Sequence, residues 1–85
     1  MNDVLSTVKE YILTTFLPGE DPQFLTSSTE LIQSGVLDSL ATLDLVSFLE
    51  SHYGIELEAH DVNPSNLGTL ADIDRLVRSK LVARA

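Results

Sequence analysis

Cysteine is absent from this 85-residue chain, which excludes disulfides, thiolate metal sites and a cysteine nucleophile. Long apolar runs are absent too. No segment approaches bilayer length, and the opening MNDVLSTVKEY lacks the basic flank and continuous apolar core of a signal peptide. The expectation is a cytoplasmic protein with no membrane partner. Bases are scarce, with five Lys and Arg against thirteen Asp and Glu and a net charge of −8. Arg75, Arg78, Lys80 and Arg84 all fall near the C-terminal end, so the rest of the surface is negative. That balance argues against nucleic acid, which is bound by neutralising phosphates. It suits either partners with basic docking faces or plain solubility.

What is present is enough apolar residue to fold. These residues make up 44% of the chain and are spread along it, which fits one domain over residues 1–85 and not a disordered acidic tail. Val4, Leu5, Val8, Ile12 and Phe16 repeat at helical spacing, with Asn2 as cap and Asp3 at the positive end, and Pro18-Gly19 stops the helix. The first helix is expected over 3–17. Residues 18–36 carry turn chemistry, but Phe24, Leu25, Leu31 and Ile32 give this long loop apolar anchors, so it should be ordered across the bundle.

Leu40, Leu43, Val46, Leu49 and Tyr53 form one stripe, widened by Leu45, Phe48 and His52, which predicts a central second helix over 39–53 ended by Gly54. GIELE is too short to build a sheet and reads as an extended connector. Asn63-Pro64 starts a one-turn helix through Leu67. Thr69 to Asp72 resembles a capping box, and Leu70, Ile73, Leu76, Val77 and Leu81 then predict a last helix over 69–82. The fold class is therefore all-α: three longer helices and one short one in a small four-helix bundle, with a long loop between the first two.

Enzyme chemistry finds little support. A serine hydrolase elbow has glycines two residues either side of its serine, where Ser39 has Leu37 and Ala41. His52 and His60 are the only imidazoles. They read as a helix-surface and a loop residue, and eight residues apart they make a poor metal pair. Glu56, Glu58 and Asp61 lack the spacing and glycine of a calcium loop, and no glycine-rich phosphate cradle occurs. No catalytic residue and no metal ligand is expected.

The stretch GVLDSLATLDLV poses the remaining question. Asp38 or Ser39 can cap the second helix, a role that contributes about 1 kcal/mol and needs no further function. The same position also suits a phosphate on Ser39, because unpaired N–H groups and the positive end of the helix dipole face it.

The wider context, residues 30–73, resembles the carrier-protein family, the acyl carrier proteins and related aminoacyl or peptidyl carriers. The matching residues are Leu31, Gly35, Asp38-Ser39-Leu40, Leu49-Glu50, Gly54-Ile55 and Thr69. The resemblance implies an acyl-carrier-like four-helix bundle that is not itself an enzyme. A phosphopantetheinyl transferase would move 4′-phosphopantetheine from coenzyme A onto Ser39, and the arm's thiol would then hold cargo as thioesters. The implied partners are an acyl- or amino-acid-activating ligase and downstream synthases or transferases of a fatty-acid-like, polyketide or nonribosomal-peptide type pathway, served by a stand-alone monomeric carrier.

Docking is expected at Asp38, Leu40, Leu43 and Asp44, with Leu43 equally readable as core. Val62 and Leu67 join that surface or shelter cargo. Ala41, Ser51 and His52 stand where the fatty-acid branch often has carboxylates, so the stretch is more similar to specialised carriers. The alternative is a small acidic interaction module in which Ser39 is only a helix cap.

Overall fold

The computed structural model describes residues 4–84. Its helices are α1 Val4–Phe16, α2 Ser39–Tyr53, α3 Pro64–Leu67 and α4 Leu70–Arg84, with 3₁₀ turns at Pro22–Phe24 and Ala59–Asp61. No strand occurs among the described residues; in GIELE, Gly54 is left-handed, residues 55–58 carry no helix or strand, and Glu58 has extended backbone. The all-α bundle of three long helices and a short one is as expected. The proposed cap at Asn2 and Asp3 lies outside the described residues.

Spacing explains which faces turn inward. Val4, Val8 and Ile12 bury one side of α1, and Leu70, Ile73, Leu76 and Val77 bury one side of α4. Fully burying such a side chain contributes roughly 1.5–3 kcal/mol. The closest backbone packing runs through α4, which meets α1, α2 and α3, so α4 takes the central place that the apolar count suggested for α2. Between α1 and α2 the contact is aromatic: Tyr11 stacks on Phe48 with centroids 4.0 Å apart, and its hydroxyl donates to the Asp44 carbonyl at 3.2 Å.

The rotation of α2 differs from the expected stripe. Its inward residues are Ala41, Leu45 and Leu49, while Leu40 and Leu43 are 74% and 62% exposed. Apolar residues occur almost all round this helix, so periodicity alone permits several inward faces. Its end follows local rules. Gly54 takes φ +65°, its N–H donates to the Glu50 carbonyl, and the Glu50 carboxylate accepts from Leu57 N–H at 2.9 Å to hold the connector.

Asn63 caps α3 by accepting from Asn66 N–H at 3.0 Å, with Pro64 at the first helical position. Gly68 then turns the chain so tightly that a Cβ would stand 2.6 Å from the Pro64 carbonyl oxygen. Thr69 Oγ1 accepts from Asp72 N–H at 3.1 Å, but the Asp72 carboxylate turns to Arg75, so half of the expected capping box is present.

The long loop is anchored by Leu25 and Leu31, both fully buried, and less completely by Ile32. Phe24 is a large exposed side chain and not the anchor expected of it. Backbone bonds replace the missing anchorage. Ala71 N–H donates to the Ser27 carbonyl at 3.1 Å, Leu31 N–H to Gly68 at 2.7 Å, and Leu37 N–H to Leu31 at 2.9 Å. The loop thus reaches Asp38 already tied to the α3–α4 junction.

Candidate functional site

Asp38 is the N-cap of α2. It sits in extended backbone, and its Oδ1 accepts from Ala41 N–H at 2.8 Å. Its carbonyl accepts from Thr42 N–H at 2.8 Å and from Thr42 Oγ1 at 2.7 Å. This decides between the two possible caps. Ser39, the first helical residue, is exposed, and its hydroxyl has no partner among the described residues. The N–H groups of Ser39 and Leu40 are likewise unpaired there, as the first turn of a helix requires. An exposed hydroxyl therefore stands at the positive end of a fifteen-residue helix, with a carboxylate beside it holding the turn in place.

A groove of about 610 Å³ opens from this point. Ile32 and Leu37 line it from the loop, Asp38, Ser39, Thr42 and Leu43 from α2, and Val62, Asn63, Pro64 and Leu67 from the α3 side. The expected docking residues divide accordingly. Asp38, Leu40, Leu43 and Asp44 are exposed around the start of α2, and Val62 is half-buried. Leu67 is only 1% exposed, which withdraws it from a docking surface and leaves it as a groove wall. Thr42 was not singled out by its sequence pattern. Its position four residues after the cap is the signal that could have found it.

A "Probable acyl carrier protein PigG" of Serratia sp. (strain ATCC 39006) is 33% identical to this chain over 73 residues, covering 86% of this chain and 83% of that protein. The chain belongs to the acyl carrier protein family. No protein-family model matches it. Its role is that of a carrier protein, the kind of protein that partners biosynthetic enzymes. No described helix is long and apolar enough to cross a membrane.

The carrier's histidines lie outside the groove lining. His52 stacks on Phe48 in the last turn of α2, about 20 Å along the helix from Ser39 at 1.5 Å per residue. It is out of reach as a base for that hydroxyl. His60 sits beside the carboxylates of its sequence neighbours, with Nε2 3.8 Å from Glu58 and 3.6 Å from Asp61.

Asp61 is already engaged. Its Oδ2 takes the Lys80 ammonium at 2.7 Å and Glu58 N–H at 3.0 Å. The hydrogen bond from Lys80 and that from the Glu58 backbone hold the Asp61 carboxyl below its ordinary 3.8, and the same pairing raises Lys80 above 10.5. Tyr11 is pushed above 10.0, first by burial and then by the nearby Asp44 charge.

Proposed function

We propose that Ser39 is the attachment point for 4′-phosphopantetheine and that the protein carries acyl or aminoacyl intermediates as thioesters. The pathway would be of fatty-acid-like, polyketide or nonribosomal-peptide type. Family membership supports the arm in general. The observation that carries the assignment to this residue is the division of labour at the helix start: Asp38 supplies the cap, so Ser39 keeps a free hydroxyl. The rival reading, a small acidic interaction module, would leave Ser39 unmodified beside the Asp38 cap.

The residues present fit such a group. A phosphodiester on Ser39 Oγ would face the unpaired N–H groups of Ser39 and Leu40 in the favourable field of the helix end. When attached, the arm supplies a thiol that holds cargo as a thioester. The chain's own contribution is to present the hydroxyl, to offer the groove between α2 and α3 as shelter, and to be read by partner enzymes. Leu40 and Leu43, exposed beside Asp38 and Asp44, fit a basic partner face with apolar recesses. A phosphopantetheinyl transferase, an activating ligase and downstream synthases are the partners proposed for that surface.

The test is intact mass after incubation with coenzyme A, magnesium and a broad-specificity transferase. The wild-type chain should gain one phosphopantetheinyl group and Ser39→Ala none. An unmodified wild type, or a modified Ser39→Ala, contradicts the assignment.

A further inference from the structure

Asp61 is the charged side chain that is buried among the described residues, and it joins three pieces of chain. Its carboxylate accepts from Glu58 N–H, closing the Ala59–Asp61 turn, and its backbone carbonyl accepts from Asn66 Nδ2 at 2.9 Å, tying that turn to α3. Asn63 Nδ2 donates back to the His60 carbonyl at 2.8 Å. The turn and α3 therefore form one stitched unit, and that unit supplies the groove wall facing Ser39.

Among the described residues this wall has two polar ties to the rest of the bundle. At its far end Gly68 accepts from Leu31 N–H. At its near end the tie is Lys80 of α4, whose side chain is 24% exposed against 10% for Asp61. On α4 itself, Arg75 pairs with Asp72 and Arg78 with Asp74.

We infer that the Asp61–Lys80 pair is a clasp that holds the α3 wall against α4 and so sets how far the groove beside Ser39 opens. Leu67 anchors the C-terminal half of the wall by full apolar burial, whereas at the other half Val62 is only partly buried against the core and Pro64 is exposed, so that half leans on the clasp. Lys80 and Asp61 are positioning residues: neither lines the groove, and both act through the wall. A pair this sheltered is lost at more cost than an exposed one, because the remaining carboxylate keeps its partly buried place without its cation. The consequence for cargo rests on the carrier reading above.

Native-state hydrogen exchange on the unmodified chain tests the clasp without needing the arm. In Lys80→Met the Val62 and Asn66 amides should exchange roughly tenfold faster, the scale expected for losing a hydrogen bond to a charged group, while Val8 and Ile12 keep their protection. Lys80→Arg, which keeps the charge, should restore most of the protection, and Arg75→Met should move neither set. Unchanged wall amides in Lys80→Met overturn the inference, as does a uniform rise over the whole chain, the mark of a general loss of stability.

A second readout uses protein loaded from octanoyl-coenzyme A. Hydroxylamine should cleave the Lys80→Met thioester faster than the wild-type one. Faster wall exchange with equal cleavage rates would overturn the link to the groove. A wild type that takes no adduct would count against the carrier reading, and the exchange result would still decide the clasp.

Discussion

The Asp61 carboxylate shows how much one side chain can depend on a partner far away in sequence. Its negative form is favoured by Lys80 and Glu58 N–H, so its acidity is raised in the fold. A group whose folded value is depressed contributes stability that is present above its unfolded value and is lost as pH falls through the folded one. Lys80 behaves in the opposite sense, with its contribution complete below 10.5 and lost as pH rises through its raised value.

The difference in thermal stability between wild type and Lys80→Met should therefore be level from about pH 5 to about pH 9 and close towards zero in stronger acid, where Asp61 is protonated in both proteins. Thermal denaturation across pH checks this, and a difference that widens in acid would be the wrong sign. Local motifs could be read directly: Asn63-Pro64, Gly54 and the cap at Asp38-Ser39 act within a few residues of themselves. The Asp61–Lys80 pair could not, because it depends on where the connector lays Asp61 against α4.

At the scale of elements, helix positions were legible and the rotation of α2 was not. Leu40, Leu43, Leu45, Val46, Phe48 and Leu49 cover so much of the cylinder that a 3.6-residue period does not choose among them. The choice is made by packing against α4 and by the Tyr11–Phe48 stack on α1. Two substitutions of the same type separate the alternatives. Leu45→Ala removes a fully buried side chain and should cost about 2–5 kcal/mol in urea unfolding. Leu40→Ala changes an exposed one and should stay within about 0.5 kcal/mol. Comparable losses at both positions would mean that α2 is rotated from the orientation described. The expected anchor at Phe24 failed for a related reason, since backbone bonds to the α3–α4 junction do part of the holding that the sequence assigned to side chains.

For the molecule as a whole, charge and family resemblance carried most of what could be read about function. A net charge of −8 creates a field that attracts basic faces at a distance, and Asp44 stands where that field would meet a partner reading Leu40. Asp44→Lys should slow modification or loading, most strongly at low ionic strength, with helical circular dichroism unchanged. Kinetics at two salt concentrations check it, and equal rates at both would remove Asp44 from the docking surface. The groove was less legible, because its walls come from the loop, α2 and the α3 unit, segments that the fold alone brings together.

The central claim is that the free hydroxyl beside the Asp38 cap is where this carrier is modified. Peptide fragmentation of the transferase-treated protein tests it most directly, because Ser34, Ser47 and Ser51 on the same stretch offer competing hydroxyls. The account predicts one phosphopantetheinyl group, on Ser39. The same group on any of the other three, or on none, would contradict it.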